Sequence, residues 1–260
     1  MQNSKQRFTN RVSDYIKARP GYPNQIIQLL TDRFGLKPDA QVGDIGSGTG
    51  LLAEMFLKNG NPVYGVEPNP AMRLAGENHL RDYHRFTSIN GCAEATGLPG
   101  HSCDFLVAGQ SFHWFEQNLT RQEFRRILKP LGWIALIWNT LPETESVFGA
   151  DYANLFRAYC PQYQGGSNHH ANIANILPFF GSQPILQFRL PNPGRLNESD
   201  FRSRILSSSQ TPEPGHPLYA QMQAAITTLF NKHQQKGHIT LLYESAIFVG
   251  QLPNEYAGHA

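Results

Sequence analysis

The stretch VGDIGSGTG at 42–50 sets three alternating glycines, Gly46, Gly48 and Gly50, behind a short apolar run, with Asp44 two residues before the first of them. Glycines at such a place let a ligand approach the backbone and let the chain take dihedrals closed to other residues. The register is G-x-G-x-G. A dinucleotide fingerprint needs G-x-G-x-x-G, and position 51 is Leu. A P-loop needs Lys and then Ser or Thr after its last glycine, where Leu51 and Leu52 stand. Neither phosphate pattern matches, and Asp44 would repel a phosphate while suiting a ligand with a positive end. Glu67 closes the next apolar run, VYGVE. A carboxylate there can accept from both hydroxyls of a ribose. A ribose, a cationic end and no required phosphate describe S-adenosylmethionine. A nicotinamide cofactor is disfavoured by the loop register.

Further chemistry is carried by GQSFHWF at 109–115 and LIWN at 136–139. Methyl transfer to a nucleophile is an in-line displacement, governed by alignment and exclusion of water. A base is needed only if the acceptor carries a proton, and His113 is the candidate. The other reading of FHWF is a packed corner with the imidazole bonded to backbone. Trp114 and Trp138 would wall a substrate pocket with His113. In DYIKARPGYP at 14–23, Tyr15, Arg19 and Tyr22 could close over the cofactor. Arg19 either clamps the cofactor carboxylate as a bidentate fork or ends a helix as a dipole-matched cation. His169 and His170 read as solvated loop residues. With no carboxylate or thiol at ligand spacing beside them, no metal site is expected.

These residues need elements to hold them. Apolar runs of strand length alternate with helical patterns through residue 140, which predicts a parallel sheet with right-handed crossovers. Helices are expected over 50–60, 70–80 and 119–130, and strands near 40–46, 61–68, 85–93, 103–110 and 132–139. Residues 141–182 read as a helical insertion on the substrate side. A strand near 184–191, a helix over 217–235 and a closing strand over 238–251 suggest an antiparallel edge. No linker marks a second domain, so residues 1–260 read as one domain with a helical cap at 1–36. Hydrophobic content of 40% supports a real core. A net charge of +2, from 22 basic and 20 acidic residues, gives no case for nucleic acid or a membrane surface. Cys92, Cys103 and Cys160 are odd in number and scattered, which fits a reduced, cytoplasmic setting.

Taken together, YIKARPGYP, VGDIGSGTG, VYGVEPNPAM, NGCAEATGLPGHSCDFLVAGQSFHWF and RILKPLGWIALIWN resemble the class I S-adenosylmethionine-dependent methyltransferases. Within them, the chain is similar to the type 11 group related to trans-aconitate and ubiquinone/menaquinone-pathway enzymes. The resemblance covers about residues 15–139. It implies a doubly wound α/β fold, Rossmann-like, with seven strands in order 3-2-1-4-5-7-6 and strand 7 antiparallel. It implies that Gly46, Ser47 and Gly48 line the methionine end, Asp44 reads its ammonium and Glu67 holds the ribose. Pro68 and Met72 would pack near the adenine, the Ala93 N–H would meet an adenine nitrogen, and Gln110 would border the sulfonium. Two departures stand out. Cys92-Ala93-Glu94 replaces the usual D-A-E, which shifts any adenine amino contact toward Glu94. Leu131 replaces a common glycine in the turn before strand five. The base-methylating enzymes' Pro-Pro-aromatic run is absent after strand four, so the acceptor is expected to be a small molecule with an oxygen or carbon nucleophile, a carboxylic acid among the options. A cofactor-binding protein without transfer is the rival reading. A monomer or weak dimer is expected.

Overall fold

A computed structural model of the chain describes residues 20–142, 146–165, 169–208 and 210–253. The elements are α1 (Gln25–Phe34), β1 (Val42–Ile45), α2 (Leu51–Lys58), β2 (Val63–Val66), α3 (Pro70–His79), β3 (Phe86–Ile89), β4 (Cys103–Gly109), α4 (Gln117–Ile127), β5 (Leu128–Thr140), α5 (Val147–Tyr159), α6 (Ile173–Phe180), β6 (Ile185–Leu196), α7 (Glu198–Leu206), α8 (Tyr219–His233) and β7 (Ile239–Gly250). The strands form one sheet in the order 3-2-1-4-5-7-6, with strand 7 antiparallel, as expected. β1 pairs in parallel with both β2 and β4, and β4 with β5.

Local sequence explains the elements that matter here. All four residues of β1 are buried, as befits a central strand covered on both faces. α1 buries Ile26, Leu30 and Phe34 along one stripe, and Gly35 ends it in the left-handed region. Pro70 sits in the first turn of α3, and the Asn69 side chain accepts from the Ala71 and Met72 N–H groups. α4 is capped by Glu116, which accepts from the Asn118 and Leu119 N–H groups, and it buries Phe124 and Ile127.

The chain divides into two compact units. Among the described residues, one holds 22–138, 170–190 and 245–253, and the other holds 20–21, 139–169 and 191–244. The 141–182 stretch is divided between the units, and β5, β6 and β7 each run from one unit into the other. No Gly/Ser-rich linker therefore marks the boundary. The first unit has a core on each side of its sheet. One side gathers Trp138, Phe112, Phe124 and Phe179, the other Ile26, Leu30, Phe56 and Ile137. The second unit has its own core around Phe201, Met222, Ile226 and Leu241. Among the described residues, no helix is long and apolar enough to cross a membrane.

Candidate functional site

The turn between β1 and α2 is shaped by glycine. Gly46, Gly48 and Gly50 have φ of 71°, 56° and 83°, a region that L side chains enter only at a cost. Space is short as well: a Cβ on Gly46 would lie 2.6 Å from Ser111 Cβ, while one on Gly48 would lie a tight 3.3 Å from the flexible Cε of Met72. The loop is tied to β2, because the Gly46 and Ser47 N–H groups both donate to the Val66 carbonyl, at 2.8 and 3.1 Å. Met72 thus packs on this loop, and Pro68, half-buried, precedes the α3 cap.

Glu67 meets the loop from the end of β2. Its Oε2 accepts from Gly48 N–H at 2.9 Å, and its Oε1 accepts from Asn69 N–H at 2.8 Å. The same carboxylate therefore joins the glycine loop to the start of α3. A carboxylate has about four acceptor positions, and these two backbone donors occupy one on each oxygen.

Asp44 is 1% exposed, and neither carboxylate oxygen makes a hydrogen bond. Burial pushes its pKa up to about 8; the nearby Ala53 backbone N–H acts the other way, and the Glu67 charge raises it further. A buried carboxyl of this kind is costly unless something cationic meets it. An ammonium group from a ligand would ionise it and supply the missing donors. The residues thus fit a cofactor with a cationic end and a ribose.

β4 brings the other wall. Gly109 ends it, and a Cβ there would lie 2.5 Å from the Tyr22 hydroxyl. Gln110 follows with φ 59°, and its N–H donates to the Ile137 carbonyl. A non-glycine residue held in that region is strain retained by the surroundings, a common mark of binding sites. Ser111 donates to the Ile45 carbonyl at 2.8 Å and so locks this corner to β1. Sequence reasoning passed over Ser111; its place directly after Gln110 was the available signal.

His113 lies in a short helical turn, Phe112–Trp114. Its ring stacks on His170, with centroids 3.9 Å apart and planes 9° apart. His170 is half-buried, not the solvated loop residue expected. Nothing in the sequence signals a contact between residues so far apart. The Trp138 Nε1–H points at His113 Nδ1 over a long 3.5 Å. An indole only donates, so in this contact Nδ1 stands on the accepting side. Trp138 is wholly buried, edge-on to Phe112 and Phe248. It is a buried residue packed behind His113. Trp114 is 42% exposed beside His113.

The adenine end is less developed. Ala93 is buried in a tight turn in which Cys92 and Ala95 exchange backbone hydrogen bonds. Glu94 does not wait for an adenine amino group with both oxygens: its Oε1 accepts from the Glu116 N–H at 2.8 Å. Tyr15 and Arg19 lie outside the described residues.

Comparison with known proteins bears on the same residues. A family profile described as a methyltransferase domain matches residues 43–136. An uncharacterised methyltransferase of Schizosaccharomyces pombe is 31% identical over 233 residues, covering 85% of this chain and 88% of the relative. A solved type II methyltransferase candidate from Anaeromyxobacter dehalogenans superposes with a TM-score of 0.69 at 22% identity, covering 91% of this chain and 99% of that one. Haemonchus contortus phosphoethanolamine N-methyltransferase 2, in complex with phosphomonomethylethanolamine and S-adenosylhomocysteine, gives 0.54 at 17% identity, over 95% of this chain and 58% of its own. The glycine loop, the β2 carboxylate and the β4 corner all fall within the matched residues, and the chain belongs to the class I methyltransferases, in their type 11 group.

Proposed function

We propose that the protein transfers a methyl group from S-adenosylmethionine to a small-molecule acid, on an oxygen that arrives already ionised. The observation that carries the cofactor reading is Asp44, a buried carboxyl with no hydrogen-bond partner beside a glycine-floored loop. The cofactor supplies an electrophilic methyl on a sulfonium. The chain's own residues do the rest. Asp44 pairs with the ammonium, Glu67 accepts from the ribose hydroxyls while holding Gly48, and Tyr22 with the Gln110 corner limits water.

The acceptor reading takes the Trp138 N–H as the donor to Nδ1 of His113, which puts the imidazole proton on Nε2 and makes that nitrogen a donor. It therefore suits a carboxylate, which accepts hydrogen bonds and needs no base, better than a hydroxyl or an amine that must lose a proton. His113 acts here as a donor that orients the acceptor oxygen.

The test is incubation of the purified chain with methyl-labelled cofactor and parallel panels of small carboxylic acids, phenols and amines. Methyl esters of the acids are the expected product. Methylation confined to phenols or amines overturns the acceptor reading. Tight cofactor binding with no transfer to any panel favours a cofactor-binding protein without activity.

A further inference from the structure

His170 stands beside the β4 corner, face to face with His113. The two rings are half-buried, with centroids 3.9 Å apart and planes 9° apart. The aromatic pairs next to them meet edge-on: Phe112 meets Phe115, Trp138 and Phe179 at 74°, 88° and 79°. A near-parallel stack at this distance sets the two imidazoles apart from that cluster.

The segment that brings His170 here is firmly held. Ala171 is buried, and the Asn172 side chain caps α6 by accepting from the Ala174 N–H at 3.0 Å. α6 then buries Ile176, Phe179 and Phe180. Phe179 lies edge-on to Phe112 at 4.9 Å and to Phe124 at 5.7 Å, and the Gln117 side-chain amide donates to the Asn175 carbonyl at 3.2 Å. The helix that follows His170 is thus pinned to α4 and to Phe112, the residue directly before His113.

Two neighbours divide control of the His113 ring. The Trp138 Nε1–H, 3.5 Å from Nδ1, favours one way round for it. A single long contact of that kind tolerates tilt and does not fix the plane. The His170 face does, because a ring turning about its Cβ–Cγ bond breaks the stack and drives its own edge toward a neighbour 3.9 Å away. Trp114, inclined at 43° with its centroid 4.9 Å off and 42% exposed, is a weaker stop. A donor aimed at an acceptor oxygen needs its angle held, since hydrogen bonds weaken steeply as they bend. Alignment is also the main demand that methyl transfer makes on its protein.

We propose that His170 is a positioning residue for the acceptor: its face holds the His113 imidazole in the plane that points Nε2 at the acceptor oxygen. This rests on the reading of His113 as an acceptor-orienting donor. His170 acts through His113 and not on the acceptor itself.

The test uses the full chain with nitrogen-15 in its histidine rings, at about pH 8, above the ordinary imidazole range. Long-range proton–nitrogen spectra, with His113→Gln to assign the signals, report how the His113 proton divides between Nδ1 and Nε2. The parent should show one form, with the proton on Nε2. His170→Ala should mix the two forms, and His170→Phe, which keeps a flat face, should restore the parent pattern. The panel acid that the parent methylates fastest then serves for kinetics. His170→Ala should lower kcat/KM about fivefold, mainly through KM, and His170→Phe should recover most of it. Adding His170→Ala to His113→Ala should cost nothing further, as holds when one residue acts through the other. S-adenosylmethionine titration and melting temperature report that each variant is folded. An unchanged proton distribution in folded His170→Ala overturns the proposal, as does a fully additive loss in the double variant or no recovery in His170→Phe. If the parent methylates none of the acids, the transfer reading fails, while the nitrogen signals still decide the role of His170.

Discussion

The Glu67 carboxylate accepts from Gly48 N–H at 2.9 Å, across the mouth of the glycine loop. This contact makes Glu67 both a builder of the loop and a ligand-facing group. Glu67→Ala is expected to cost roughly 2–4 kcal/mol of cofactor binding, from lost charge-assisted hydrogen bonds and a loosened loop. Glu67→Gln should lie between, since one amide oxygen still accepts. Calorimetric titration of folded variants decides it. An unchanged dissociation constant for Glu67→Ala would remove Glu67 from the site.

Asp44 links the site to pH. Its pKa of about 8 in the folded chain lies above the ordinary 3.8. Between those values the folded chain holds a proton that the unfolded chain has lost. The contribution of Asp44 to stability is therefore highest below about pH 4, declines as pH rises to about 8, and is flat beyond. The full decline is on the order of 5 kcal/mol. Asp44→Asn should accordingly melt several degrees higher than the parent at pH 8 without cofactor, and little differently at pH 4. A variant that melts lower at pH 8 would show that the carboxylate is stabilised by the protein itself.

The same group predicts proton release. Pairing with an ammonium ionises Asp44, so below about pH 8 cofactor binding should expel up to one proton and tighten as pH rises. Calorimetry in buffers of different ionisation enthalpy measures this directly. Asp44→Asn should abolish the release and weaken S-adenosylmethionine and S-adenosylhomocysteine alike, since both carry the ammonium. Strong discrimination between the two would mean that Asp44 reads the sulfonium instead.

His113→Ala separates a donor from a base. Loss of one hydrogen bond to a charged acceptor should lower kcat/KM about 10–150-fold, mainly through KM, with cofactor affinity kept. His113→Gln, which retains an N–H, should recover part of it. Turnover reduced by about a thousandfold or more, with no recovery in the glutamine variant, would identify a general base.

Leu131→Gly should stabilise the protein by about 1 kcal/mol. The left-handed backbone at Leu131 favours glycine, and a side chain 76% exposed gives up little burial when removed. Denaturant unfolding checks it. A destabilised variant would show that the leucine packs against something in solution.

Much of the fold is written locally. β1 is a run of four buried residues, Pro70 and Asn69 start a helix, and Gly46, Gly48 and Gly50 announce positive φ; the alternation of strand and helix implies a parallel sheet, while the order of its strands came only from the family resemblance. Asp44 and Glu67 are legible for the same reason, because a strand end fixes where its side chains emerge. Local patterns carry no record of contacts closed by distant chain. The stack of His170 on His113, the burial of Trp138 behind it and the capture of Glu94 by the Glu116 N–H all depend on tertiary approach. The division into two units leaves no local mark either, because β5, β6 and β7 cross the boundary as unbroken strands.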